Sequence, residues 1–235
     1  MQAPDFWTRD GWLPKLLSPL SALWCWGAEY RHSGIETYRA SVPVICVGNI
    51  VTGGTGKTPV VLALAEHLQS RGRRVHLLTR GHGGKLTGPV RVDPLHHISA
   101  QVGDEALLLA KIAPTWVSRW RPDGAAASSS NGADVIIMDD GFQNSTLAKD
   151  LSFIVVDGAA GFGNGRVMPA GPCREPLKAG LSRADAVILI GEDVQNITPL
   201  LSPPPIIRAR LVPTPQAQEF HGKRVLAFAG IGRPQ

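Results

Sequence analysis

The stretch Val44-Ile45-Cys46-Val47-Gly48-Asn49-Ile50-Val51-Thr52-Gly53-Gly54-Thr55-Gly56-Lys57-Thr58-Pro59 decides the fold. An apolar run runs into a glycine-rich loop that closes on Gly-Lys-Thr. Such a loop turns successive backbone N–H groups inward and cradles phosphate oxygens. Lys57 can reach the β- and γ-phosphates of a nucleotide, and the Thr58 hydroxyl can ligate Mg²⁺. Residues Val51, Thr52, Gly53, Gly54, Thr55, Gly56, Lys57 and Thr58 are therefore the candidate ATP-binding set. Thr58 and Pro59 are expected to open a helix, where proline is tolerated and where the helix terminus adds positive charge to an anion site. One departure stands out: the usual loop has glycine five residues before Gly56, and this chain has Val51.

Outward from that loop, short apolar runs alternate with helical stretches, the pattern of βαβ units and a parallel sheet. Strands are expected near 43–49, 74–79, 89–92, 134–138, 152–156, 186–190 and 206–211. Helices are expected near 58–70, 103–112, 175–182 and 193–201. The span 120–132 reads as a turn at Pro122-Asp123-Gly124 and a loop at Ser128-Ser129-Ser130-Asn131-Gly132. The expected fold class is α/β, P-loop NTPase-like, with a doubly wound, mainly parallel sheet and the start of a second, smaller α/β domain. The domain boundaries are 1–41 for an N-terminal helical segment, 42–213 for the nucleotide unit and 214–235 for a linker and first strand of the second domain.

Three further stretches carry chemistry. Val135-Ile136-Ile137-Met138 is an apolar strand ending in Asp139-Asp140, and P-loop enzymes place such an acid beside Mg²⁺. Asp139 is the metal candidate. Gly103-Asp104-Glu105 opens a helical run, where acids also suit the helix dipole without any catalytic task. Asp157 to Pro176 is too rich in glycine and proline for regular structure, and long ordered loops usually carry function. Within it Asn164, Arg166 and Arg174 are candidates to hold an anionic substrate.

The 235 residues suffice for one large α/β domain with a proper core. A net charge of +5 favours an anionic ligand or membrane surface, and with no long Lys/Arg run it does not specify nucleic acid. Three cysteines at unrelated spacings make neither a disulfide framework nor a zinc site, and they fit a reducing cytosol. Four of the six tryptophans lie in the first 26 residues, beside leucines at helical spacing. The uncharged run Leu16 to Ala28 is too short to span a bilayer, and Pro19 is expected to kink it. An interfacial helix with its apolar face in the membrane and a helix packed on its own core both produce this spacing.

These motifs, taken together and in order, resemble the tetraacyldisaccharide 4'-kinase family, the lipid A 4'-kinases of Gram-negative bacteria. The matching residues are Val47-Gly48-Asn49, Gly53 to Pro59, Arg80-Gly81 with Gly83-Gly84, Gly103-Asp104-Glu105, Asp139 to Gln143, Gly163 to Arg166 and Pro169 to Pro172. The family's own loop also lacks the glycine that Val51 replaces. The resemblance implies a peripheral protein at the cytoplasmic face of the inner membrane. It would use MgATP to phosphorylate the 4'-hydroxyl of an acylated disaccharide 1-phosphate. It further implies that Asp104 is the catalytic base, Glu105 its acidic neighbour near the metal, Asp139 the Mg²⁺-associated acid, and Asp140 an acid that works with a histidine of the second domain. Lys57 joins Asp104 and Asp140 as catalytic. His82 stands where the family usually has tyrosine, and Asn144 where it usually has histidine. Lys223 to Gly232 resembles the start of the second domain, so the sequence reads as a truncated member that lacks the facing histidine. The rival readings are a partitioning-type ATPase switch, whose signature lysine is replaced here by Thr52, and an inactive truncated remnant that binds MgATP weakly and transfers little or no phosphate.

Overall fold

The computed structural model of the chain describes residues 4–32, 34–213 and 222–224. The strand and turn expected over 223–232 lie almost wholly outside them. The elements in chain order are α1 (Trp12–His32), β1 (Val44–Gly48), α2 (Lys57–Ser70), β2 (Val75–Thr79), β3 (Val90–Arg91), α3 (Ser99–Val102), α4 (Asp104–Leu109), β4 (Thr115–Val117), α5 (Arg121–Ser130), β5 (Val135–Asp139), β6 (Leu151–Asp157), α6 (Leu177–Leu181), β7 (Ala186–Ile190) and β8 (Ile206–Ala209).

The strands form one sheet in the order β3-β4-β2-β5-β1-β6-β7-β8. Every pairing is parallel except that of the edge strand β3. This is the doubly wound, P-loop NTPase-like α/β fold. β1, β2, β5 and β7 are buried at every position, which is why they read as unbroken apolar runs. From β1 the chain winds toward one edge, then crosses to the other after β5. The carboxyl ends of β1 and β5 thus border the switch point where such sheets bind ligands. Their register pairs Val47 with Asp139, so the phosphate loop and the acidic strand end emerge side by side.

Four elements differ from the sequence expectation. α5 occupies the span read as turn and loop. Pro122 sits in its first turn, where a missing N–H costs nothing, and Gly124 fits against Leu78 and Ser118, where a larger side chain would collide. Tertiary packing overrides the weak helix propensity of this Gly/Ser-rich run. β4 was not anticipated, being only three residues long. The expected helix over 103–112 forms as the shorter α4, and a separate helical turn that was not expected, α3, precedes it, the two divided at Gly103. Gly103 has φ +87°, and a Cβ there would run into the His82 carbonyl. The expected helix over 193–201 is a single 3₁₀ turn at Thr198–Leu200, with Asn196 at φ +51° breaking the run.

α1 runs through Pro19 as one continuous helix. No helix among the described residues is long and apolar enough to cross a membrane. Its inner side carries Pro14, Ser18, Ser21 and Cys25, buried or half-buried. Its outer side exposes Trp12, Leu16, Leu20, Leu23, Trp26 and Tyr30, each at least half exposed. At about 100° per residue these six fall within an arc of roughly 120°. Leu13 and Leu17 are half-buried beside the small inner residues, so the helix packs inward on part of its surface while its outward arc leaves six large apolar side chains filling no core.

Candidate active site

The loop after β1 is held from both sides. Asn49, fully buried, donates through Nδ2 to the Gly53 carbonyl at 3.4 Å and to Thr55 Oγ1 at 3.2 Å. Val51 is buried in the core and bridges to Cys173, so a side chain is required where other loops have glycine. Thr52 donates from its backbone N to the Pro172 carbonyl at 2.8 Å and from Oγ1 at 3.2 Å. Gly53 and Gly54 are exposed. Gly56, at φ +81°, is the N-cap of α2, which begins at Lys57 rather than one residue later. No side chain caps that terminus, so the first-turn N–H groups around Gly56, Lys57 and Thr58 remain for an anion.

Asp139 ends β5, 1 % exposed, and its Oδ1 has no hydrogen-bond partner. Burial, and then the negative charges of Glu105 and Asp140, push its pKa up to about 7. A buried carboxylate with one unpartnered oxygen, crowded by two other acids, is what a divalent cation relieves. Among the described residues no three His, Cys, Asp or Glu side chains gather as a ready ligand set. Mg²⁺ is usually held by one or two carboxylates together with phosphates and water. Asp139, with Glu105 close enough to raise its pKa and Thr58 in the first turn of α2, therefore fits such an ion.

Asp140 sits at φ +50°, a left-handed conformation uncommon outside glycine. Its Oδ1 lies 3.6 Å from Lys57 Nζ and accepts from Arg174 Nη1 at 3.1 Å, while Oδ2 accepts from Arg174 Nη2 at 3.4 Å. Burial alone would raise this carboxyl, but the Lys57 and Arg174 cations outweigh it and hold the pKa below the ordinary value. Asp104 opens α4 and is exposed, immediately before Glu105.

Three features escaped the sequence reading. Arg121 is 3 % exposed under the site, and burial draws its pKa down to about 10 against the opposing field of Asp139. The Arg121-Pro122 pair, a helix start, was its only sequence signal. Gln143 donates through Nε2 to the Asn49 carbonyl at 2.8 Å and to Glu175 Oε1 at 2.9 Å, and accepts from Arg174 Nη1 at 3.3 Å. Glu175 in turn pairs with Arg183. Beside this network lies a cavity of about 790 Å³ whose wall includes Trp24, Arg80, Leu147, Lys149, Met168 and Arg174.

Asn164 and Arg166 do not line it. Asn164 Nδ2 donates to the carbonyls of Phe6 and Ala170, and Arg166 donates to Asp10 and Ser18. The expected anion grip is corrected for these two: their polar groups fasten the N-terminal segment. Asn144, at a departure from the family pattern, has Oδ1 turned to Thr146 and Leu147 as a turn cap.

A family model described as tetraacyldisaccharide-1-P 4'-kinase matches residues 13–235. The chain belongs to that family. Over its whole length it is 58 % identical to a tetraacyldisaccharide 4'-kinase of Paramagnetospirillum magneticum and 55 % identical to one of Rhodospirillum centenum, spanning 73 % and 72 % of those proteins. A crystal structure of the "apo" form of LpxK from Aquifex aeolicus in complex with ATP aligns with a TM-score of 0.70 at 31 % identity, covering 83 % of this chain and 64 % of that one. Membership in the 4'-kinase family sets aside the partitioning-type switch.

Proposed function

We propose that the chain transfers the γ-phosphate of MgATP to the 4'-hydroxyl of a tetraacyldisaccharide 1-phosphate at the cytoplasmic face of the inner membrane. The observation that carries this reading is the pairing of a phosphate loop with a large basic and apolar cavity across one shared carboxylate, Asp140. Lys57 stands on the loop side of that carboxylate and Arg174 on the cavity side. Residues 42–213 form the nucleotide unit of this reading, and 1–41 its membrane-facing segment.

Lys57 and the free N–H groups at the start of α2 take the phosphates. Asp139 and Thr58, with Glu105 behind, would hold Mg²⁺, which when bound neutralises charge on the β- and γ-phosphate oxygens. Asp104 accepts the proton of the acceptor hydroxyl. The cavity's basic residues suit an anionic sugar, while Trp24, Leu147 and Met168 suit its acyl roots. The outward stripe on α1 supports an interfacial seat for the lipid substrate, with Trp and Tyr at headgroup level.

The test is incubation of the chain with γ-labelled ATP, Mg²⁺ and the acylated disaccharide 1-phosphate in mixed micelles. Label should move to the lipid in a Mg²⁺-dependent way. Hydrolysis of ATP with no labelled lipid overturns the reading.

A further inference from the structure

We infer that Arg174 acts on the transferring phosphoryl group itself, moving from Asp140 to the non-bridging γ-phosphate oxygens once nucleotide is bound. This rests on the kinase reading above. It gives Arg174 a task on the moving phosphate, where the sequence placed it only on the acceptor.

Four observations converge. Arg174 and Lys57 meet at the same atom, Asp140 Oδ1, at 3.1 Å and 3.6 Å. Two cations on one carboxylate oxygen form a seat that a phosphoryl oxygen can take over, and a guanidinium suits phosphate as well as carboxylate. Arg174 also lines the cavity, which Lys57 does not. It is therefore the cation that faces donor and acceptor together.

The third observation is how it is mounted. Its backbone N donates to the Ile50 carbonyl at 2.7 Å, and its carbonyl accepts from Trp24 Nε1 at 3.3 Å. The main chain is fixed at the root of the phosphate loop, and only the side chain is free to swing. Fourth, the fork is aimed from behind by Gln143, which Asn49 and Glu175 hold in turn.

In the step so assigned, the acceptor hydroxyl oxygen forms a bond to the γ-phosphorus. The bond from that phosphorus to the β–γ bridging oxygen breaks, and its electron pair leaves with ADP. The hydroxyl proton passes to Asp104. Arg174 makes and breaks no covalent bond; it donates N–H groups to oxygens that carry the charge.

The experiment compares the chain with Arg174→Ala and Arg174→Lys in steady-state lipid phosphorylation, with ATP affinity measured separately. The expected result is a fall in kcat of about 10³-fold for Arg174→Ala, the lower end for a cation of this kind. The ATP dissociation constant should change little, and added guanidinium ion should restore part of the rate. Arg174→Lys keeps a charge but loses the fork, and should stay well below the parent; it also stands in if Arg174→Ala fails to fold. A loss confined to the KM for lipid would make Arg174 an acceptor grip and overturn the inference. So would parent-like turnover in Arg174→Lys, or a deficit that guanidinium leaves untouched. A parent chain that labels no lipid overturns the kinase reading and this inference together. A parent that labels lipid alongside an unimpaired variant overturns this inference alone.

Discussion

Arg166 reaches Asp10 across 156 positions of chain, its Nε donating to Oδ1 at 2.9 Å while Nη1 donates to Ser18 Oγ at 2.8 Å. The same loop receives Trp7 Nε1 on the Pro169 carbonyl and Ser21 Oγ on the Val167 carbonyl, and it gives the Pro172 carbonyl to Thr52 of the phosphate loop. The loop is a strut. Its one side carries the N-terminal helix and its other side braces the nucleotide site.

Arg166→Ala should loosen that strut with little change in the midpoint of global unfolding, because partly exposed ion pairs contribute little to stability. Limited proteolysis should cut the variant first before α1, at rates the parent resists. Equal cleavage of both would show that Arg166 does not hold the segment.

Lys57→Ala should lower lipid phosphorylation by at least about 100-fold, since the loop loses its mobile phosphate cation. Radiolabel transfer from ATP measures this. Near-parent turnover would remove the phosphate loop from the mechanism.

Asp104→Asn should slow turnover by about 10²–10⁴-fold, the usual contribution of a general base, while MgATP affinity stays close to the parent's. The reverse pattern, weak nucleotide binding with turnover intact, would make Asp104 a metal or structural residue.

Asp139 sets a pH signature. Its folded pKa is raised, to about 7 from 3.8, so the folded state holds a proton that the unfolded state has already released. Stability of the metal-free chain should therefore decline as pH rises from 3.8 to about 7 and level off above. Asp139→Asn should remove that slope and stabilise the metal-free chain at pH 8 by an amount on the order of a few kcal/mol, at about 1.4 kcal/mol per unit of pKa. MgATP should reverse the ranking by stabilising only the parent. Denaturant melts of both proteins at several pH values would expose a flat parent curve, and with it an Asp139 that carries no such strain.

Leu16→Ser with Leu23→Ser should leave folding intact, because both side chains already face solvent. Flotation with anionic vesicles should drop sharply. Undiminished flotation would move the membrane contact away from α1.

Much of this arrangement was legible before any coordinates. β1 and β5 could be read because a strand buried on both faces must be an unbroken apolar run, and each run is broken by residues that mark its end, Gly48-Asn49 and Asp139-Asp140. α5 could not be read, because Gly124 and Ser128 to Ser130 belong to a helix only by virtue of what they press against, Leu78, Ser118 and His76. Asn164 and Arg166 misled for a related reason. A glycine-rich loop with an arginine looks the same whether the arginine meets a ligand or a carboxylate far away in the chain. Gln143 stood in view within its motif, but its three partners come from two separate segments, Asn49 in the phosphate loop and Arg174-Glu175, and only the fold assembles them.

Trp24 is both a wall of the cavity and a donor to the Arg174 carbonyl, on a helix whose other side exposes a stripe of large apolar residues. The acceptor then need not be drawn into water to be modified. Lifting an acyl chain of ten methylenes out of lipid would cost about 8 kcal/mol, at about 0.8 kcal/mol each. Under the proposed membrane seat of α1, a cavity floored by that helix would let the chains stay among their neighbours while the sugar alone tilts toward the phosphate. Turnover would then follow the surface density of the acceptor in the vesicle rather than its bulk concentration. Diluting the substrate with inert lipid should slow the reaction even when the total amount in the tube is unchanged.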